Sequence, residues 1–125
     1  MTGREMINQA MALLGYTDRI GAYNNGTLEA RAVTILNAVY NDLYTPSDHR
    51  MAYEPITDIN QEIRMPVETL QDCMAYGVAM WLAQTENDGD NQQLFRSIYN
   101  QKRAHLTRVS RVRDVYHAIS HDRSL

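Results

Sequence analysis

The chain has 125 residues, a single cysteine and a formal net charge of −3. This length fits one domain, since domains usually span about 100–200 residues. One cysteine excludes an internal disulfide and a paired-cysteine redox site. The N-terminal residues lack the basic and apolar regions of a secretory signal, and no apolar run approaches the roughly 18 residues of a membrane span. We therefore expect a protein that is made in the cytoplasm, is not exported by that route and does not enter a membrane.

The charge is unevenly distributed along the chain. Residues 1–50 carry four basic and five acidic side chains, residues 51–95 carry one and eight, and residues 96–125 carry seven and two. The middle is therefore acidic and the end is basic. Eleven of the twelve basic residues are arginine, a bias that favours bidentate contacts to carboxylates or phosphates. A compositional habit of the source genome would produce the same bias, and the sequence leaves both interpretations open.

The first helix is predicted over residues 3–14. Thr2 and Glu5 have the spacing of a capping box, and apolar residues then recur at helical spacing. Gly15 follows as a stop signal.

A second helix is predicted after the turn residues 24–26. Thr27 is the expected N-cap, and Glu29 lies in the first turn, where its charge suits the helix dipole. An apolar stripe then runs from Leu28 to Leu43. Pro46 ends the pattern, because the residue before a proline is pushed out of the helical region.

Residues 45–65 form a long connector for so small a domain. Connectors longer than about 12–15 residues are usually functional or contain a short strand or turn.

Two further helices are predicted after the connector. Pro66 suits the first position of the third helix, and Gly77 in its middle indicates a close approach by another helix. Asp90 is the expected cap of the fourth helix, whose apolar stripe runs from Leu94 to Ile119. The predicted core residues of the domain are Leu36, Leu70, Met74, Gly77, Trp81, Phe95 and Ile98.

The short links between helices imply antiparallel neighbours. The predicted fold is therefore all-α: an antiparallel four-helix bundle with a long connector between helices two and three and an extended C-terminal helix or arm. We place the bundle in residues 1–106 and the basic arm in residues 107–125.

No group of residues indicates catalysis, a metal or a cofactor. His117 and His121 are four residues apart, but they lack a third ligand and a glutamate base, which favours a solvated helix face over a zinc site. Glu86, Asp88 and Asp90 do not have the glycine and glutamate positions of a calcium loop. Cys73 lies beside Met74 on an apolar face, which is typical of a structural thiol. The sequence predicts a protein that is not an enzyme.

The one group of residues that indicates a binding surface is a set of basic residues in the C-terminal part of the chain: Arg96, Lys102, Arg103, Arg108, Arg111, Arg113 and Arg123. One interpretation is a patch that binds nucleic acid. The sequence pI of 5.7 favours an acidic protein surface instead, and aromatic residues do not alternate with the arginines as they do in a base-stacking platform. The chain carries such a surface in residues 54–72. A basic end that meets the acidic segment of the next copy forms a head-to-tail interface, which closes into a ring or extends as a filament.

The order of these parts resembles the head-to-tail adaptor, or connector, proteins of tailed bacteriophages. The matching features are the helix stop Leu13-Leu14-Gly15, the stretch 55–59, the proline-started segment 66–70, the segment 75–79 with its Tyr-Gly-Val-Ala centre, and the helix at 94–99. The resemblance covers most of residues 3–106 and rests on order and spacing.

This resemblance implies a structural virion protein of the phage neck, at the interface between head and tail. Such adaptors form rings, commonly dodecamers, that bind the portal on one side and the next neck or tail protein on the other. Double-stranded DNA passes through the channel without sequence recognition. The C-terminal arm is then the part that contacts the portal, and its candidate residues are Arg108, Arg111, Arg113, Tyr116, His117, Ile119, Arg123 and Leu125.

The connector and the basic helix supply the candidate contacts between copies: Glu54, Asp58, Glu62, Arg96 and Arg103. The alternative function is a small helical regulator that binds nucleic acid through its basic fourth helix.

Overall fold

The computed structural model describes residues 1–16, 18, 23, 26–44 and 51–123; for residues 26–27 and 108–123 it describes the backbone alone. The chain is mostly helical, and these described ranges contain no named strand. Four helical segments follow one another: α1 (Gly3–Leu14), α2 (Gly26–Tyr44), α3 (67–85) and α4 (Gly89–Arg123). The predicted all-helical fold class is confirmed at this level.

Helix α1 has the boundaries that its capping residues predict. The Thr2 hydroxyl accepts a hydrogen bond from the Glu5 backbone N–H, and the Glu5 carboxylate accepts one from the Thr2 backbone N–H. At the other end, Gly15 adopts the left-handed conformation with φ of 80°, which glycine enters without the steric cost that other residues incur.

Helix α2 begins earlier than predicted. Its first residue is Gly26, so Thr27 lies inside the helix and the prediction that Thr27 is the N-cap is wrong. Residues 24 and 25 lie outside the described residues. The helix ends at Tyr44, two positions before Pro46.

Helix α3 changes its hydrogen-bonding pattern along its length. It starts with the turn Val67–Thr69, continues as the π-helix Leu70–Met74 and ends as the α-helix Ala75–Thr85. Pro66 is the N-cap with ψ of 142°, so it lies just before the helix and not at its first position. The part Ala75–Thr85 contacts all three other helices, which explains why it is apolar on most sides.

Gly77 allows two neighbours to approach helix α3. A Cβ atom at this position would lie 2.7 Å from Cε1 of Tyr99 on α4 and 2.8 Å from Cγ1 of Val39 on α2. Both distances are shorter than a van der Waals contact. The close approach predicted at Gly77 is therefore confirmed.

Helix α4 is a single helix of 35 residues, or about 52 Å at 1.5 Å per residue. Asp88 caps it: its Oδ1 accepts a hydrogen bond from the Asn91 backbone N–H at 3.3 Å. The prediction that Asp90 is the cap is wrong, because Asp90 lies inside the first turn. The helix passes without a break through the boundary that we drew between residues 106 and 107.

The described part of the connector, residues 51–65, is irregular, contains a turn at residues 58–61 and is attached to α1 and α2. The first N–H groups of a helix have no partner within that helix. In α1, the Gly3 N–H donates to the Gln61 carbonyl at 3.1 Å and the Arg4 N–H donates to the Ile59 carbonyl at 2.7 Å. On the α2 side, the Asn37 side-chain amide exchanges two hydrogen bonds with the backbone of Ile56.

The core lies between the four helices and the inner side of the connector. Of the predicted core residues, those that are buried are Leu36, Leu70, Met74, Gly77 and Phe95. Ile98 is half-buried, and Trp81 is 38% exposed, so its assignment to the core is wrong. Trp81 lies six residues after the fully buried Ala75, which places it about 120° round α3 from that side chain.

Candidate functional site

The predicted portal-contacting residues other than Leu125 fall within the C-terminal half of α4. Residues 108–123 continue the helix, and their side chains lie outside the described part of the chain. Leu125 lies outside the described residues altogether. The structure therefore places the backbone of the arm on a long helix, while the portal contacts of Arg108, Arg111, Arg113, Tyr116, His117, Ile119, Arg123 and Leu125 stay a prediction.

Two of the three predicted inter-subunit carboxylates have cations within their own chain. Oε2 of Glu54 lies 2.9 Å from Nε of Arg64, and Oε2 of Glu62 lies 2.8 Å from the Met1 ammonium. Both pairs are exposed, and exposed ion pairs contribute about 0–1 kcal/mol. These contacts occupy the carboxylates but do not bury them.

Asp58 differs from the other two carboxylates because no cation pairs with it among the described residues. Its Oδ1 accepts a hydrogen bond from the Asn60 backbone N–H at 2.7 Å, and the residue is exposed. It lines a groove between α2 and the connector. The groove is formed by Glu29, Ala30 and Val33 on one side and residues 57–60 on the other.

Arg4 joins the two walls of this groove. Its Nε donates a hydrogen bond to Oδ1 of Asn60 at 2.9 Å, and its Nη2 lies 3.4 Å from Oε1 of Glu29. Val33 and Ile59 also line the groove; Ile59 is 4% exposed and Val33 packs against the core. The arrangement is suited to long side chains that end in a cation.

The two predicted inter-subunit arginines lie on α4 in different environments. Nε of Arg103 lies 2.9 Å from Oδ2 of Asp42, but its N–H does not point at that oxygen, so the contact is an ion pair without a hydrogen bond. The same carboxylate accepts a hydrogen bond from the Tyr99 hydroxyl at 2.5 Å. Arg96 is exposed and has no partner among the side chains that the structure describes. Tyr99 and Arg103 therefore join α4 to α2 through Asp42, whereas Arg96 stays exposed.

An aromatic cluster at the end of α2 was missed by the sequence analysis. The ring of Tyr53 stacks on that of Tyr40 with centroids 5.0 Å apart, and it meets Tyr44 edge-on at 5.1 Å. Tyr53 is 40% exposed and Met51 is 43% exposed. The spacing of Tyr40 and Tyr44 by four residues was the available signal, but nothing in the sequence placed Tyr53 beside them.

The turn between α3 and α4 is tied to the end of α1. The Tyr16 hydroxyl donates a hydrogen bond to Oδ2 of Asp88 at 2.5 Å. Burial, and then this bond to a carboxylate, raise the pKa of Tyr16 to about 12. The same bond, together with those from Asn91, lowers the pKa of the Asp88 carboxyl. Asp88 therefore has a structural role as a helix cap.

Among the described residues, the Cys73 thiol is buried and the acidic side chains form no metal-binding group. Cys73 is 3% exposed, and burial raises its pKa to about 11. Within the described ranges, no three histidine, cysteine or acidic side chains are close enough to hold a metal ion. None of the helices, so far as their residues are described, has the length and apolar character needed to cross a bilayer.

Comparison with known proteins found no matching family model, no similar curated protein and no similar solved structure.

Proposed function

We propose that this chain is a head-to-tail adaptor of a tailed bacteriophage. In this proposal, copies form a ring, commonly a dodecamer, beneath the portal of the capsid. The ring binds the portal on one side and the next neck or tail protein on the other. It leaves a channel through which double-stranded DNA passes without sequence recognition.

The observation that carries the proposal is the length of helix α4. The helix runs unbroken for 35 residues from Gly89 to Arg123, and Leu106, near its middle, packs against the core. Residues 107–123 contain four arginines and two acidic residues. A basic helix of this kind suits docking on an acidic protein surface.

The finer arrangement that we propose for the helices is an antiparallel bundle. A link of three residues, 86–88, joins α3 to α4. Gly77 and Tyr99 lie in contact, and each is eleven residues from Asp88. Equal distances on the two sides of a turn are typical of an antiparallel hairpin.

Sedimentation with phage portal proteins tests the proposal. We expect the isolated chain to be a monomer at micromolar concentration and to sediment with the portal as rings. A truncated chain that ends at residue 106 should lose this association. No association of the full chain with any portal protein, and no loss on truncation, would overturn the proposal.

A second candidate function is a regulator that binds nucleic acid through α4. Its support is that one continuous helix carries seven basic residues. Two of these already have partners in the chain: Arg103 pairs with Asp42, and Nζ of Lys102 lies 4.7 Å from the centre of the Tyr76 ring. Gel shifts at sub-micromolar protein with a steep salt dependence would support this function. Absence of binding at low salt would exclude it.

A further inference from the structure

The groove between α2 and the connector has the features of a receptor for an arginine side chain. Its lining combines the apolar residues Val33 and Ile59, which suit the aliphatic part of an arginine, with the acidic residues Glu29 and Asp58. Arg4 already places its guanidinium between Glu29 and Asn60. The Asp58 carboxylate is left without a cation among the described residues, so the groove retains an unmatched negative charge.

This groove faces away from helix α4 of the same chain. Asp42 marks the side of α2 that contacts α4, through Tyr99 and Arg103. Val33 lies nine residues before Asp42, which corresponds to a rotation of about 180° round the helix. The basic side chains that the structure describes on α4 therefore reach this groove only from another molecule.

Arg96 is the α4 residue that fits this role among those with described side chains. It is exposed and unpaired there, whereas Arg103 and Lys102 have partners in their own chain. We infer that Arg96 of one copy enters the groove of a second copy and pairs with Asp58. The inference rests on the proposed function, because it names the surfaces through which adjacent copies of the ring meet.

The two surfaces lie on different sides of the molecule, so the contact is head-to-tail. An interface of this type leaves a free groove on one copy and a free arginine on the other, and it therefore repeats. An exposed ion pair is weak, so the groove contacts around it must supply most of the affinity. We expect free copies to associate only at high concentration, with a dissociation constant on the order of 1 mM. A portal that holds copies side by side would raise their effective concentration.

Sedimentation equilibrium of the intact chain at low salt tests this contact without a portal. We expect the average mass of the natural chain to rise as its concentration approaches about 1 mM. Asp58→Arg and Arg96→Glu should each weaken the association by about tenfold or more. An equimolar mixture of the two variants should recover it, because the reversed charges then face each other.

A matched control comes from an exposed charge elsewhere in the described chain. Asp72→Arg makes the same charge change as Asp58→Arg at a position outside both proposed surfaces, and it should leave the association unchanged. Far-ultraviolet circular dichroism verifies that each variant stays helical.

The inference is overturned if the natural chain stays a monomer at about 1 mM, if Asp58→Arg has no more effect than Asp72→Arg, or if the mixture does not associate. Failure here with intact portal binding leaves the adaptor proposal standing. Loss of portal binding with an intact contact between Asp58 and Arg96 contradicts the adaptor proposal alone.

Discussion

The hydroxyl of Tyr99 donates a 2.5 Å hydrogen bond to Oδ2 of Asp42 and so joins α4 to α2. Tyr99 is 5% exposed, and burial, followed by this bond, raises its pKa above the usual range. Arg103 shares the same carboxylate. The two helices are therefore held together by a buried phenol and a more exposed ion pair.

Removing this hydroxyl should destabilise the chain. We expect Tyr99→Phe to lower the free energy of unfolding by about 1–2 kcal/mol, because a hydrogen bond to a charged acceptor is lost while the ring stays in place. Urea unfolding measures the change. Arg103→Gln removes the exposed ion pair and should cost less than 1 kcal/mol. Equal losses of stability in the two variants would show that the hydrogen bond of the buried Tyr99 hydroxyl contributes no more than the exposed ion pair.

The close packing at Gly77 predicts that even an alanine side chain at this position destabilises the fold. Gly77→Ala should lower the free energy of unfolding by about 1–2 kcal/mol, since overpacking costs about 1–3 kcal/mol and the gain in helix propensity offsets part of it. Thermal unfolding measures the loss. Gly89→Ala is the control, because no atom lies within 4 Å of its added Cβ. A stabilised Gly77→Ala variant would contradict the close approach of Tyr99 and Val39.

The cap of α4 can be assigned by comparing two aspartates two positions apart. Asp88→Ala should cost about 1 kcal/mol or more, because it removes the bonds to Asn91 and to Tyr16. Asp90→Ala removes only a charge near the helix N-terminus and should cost less than about 0.5 kcal/mol. Chemical denaturation of both variants distinguishes the two positions. A larger loss of stability for Asp90→Ala would indicate that Asp90 is the cap, as the sequence predicted, and would contradict the assignment to Asp88.

The raised pKa of Tyr16 predicts a loss of stability in alkali. Above about pH 10 the unfolded tyrosine releases its proton while the folded one keeps it, so unfolding becomes easier as the pH rises. The contribution of this residue should be full below about pH 10 and lost by about pH 12. The difference in urea midpoint between the natural chain and Tyr16→Phe, followed from about pH 9 to about pH 12, measures it. A difference that does not change with pH would contradict the assignment.

The buried thiol of Cys73 should react slowly. A pKa of about 11 leaves about 100-fold less thiolate at neutral pH than the ordinary value of 9.0 does, and the thiolate is the reactive form. We expect alkylation of the native chain to be at least that much slower than alkylation in denaturant. Mass spectrometry follows the modification. Similar rates in the two states would show that the thiol is accessible.

Local signals explain which parts of this structure were predictable. Thr2, Glu5 and Gly15 act within α1 itself, so its boundaries follow from neighbouring residues. The cap of α4 was misassigned because Asp88 and Asp90 are chemically alike, and only the folded structure shows that Asp88 accepts bonds from Asn91 and Tyr16. The exposure of Trp81 depends on which neighbours surround α3. The spacing of apolar residues within α3 does not reveal those neighbours.

The candidate site was less predictable than the helices. Charge distribution pointed to Glu54, Asp58 and Glu62 as a group, but only the folded connector shows that two of them have cations nearby. The groove at Asp58 forms from segments that lie about 25 residues apart in the sequence. Such pairings depend on tertiary contacts, such as the one between Asn37 and Ile56.

The unbroken hydrogen bonding of α4 has a mechanical consequence. Residues 89–123 form one rod without a proline or an internal glycine, so the rod has none of the usual causes of a sharp kink. A partner that binds the C-terminal end of α4 therefore also sets the tilt of the rest of the molecule. At about 52 Å, a change of 10° at that end would displace the opposite tip by roughly 9 Å.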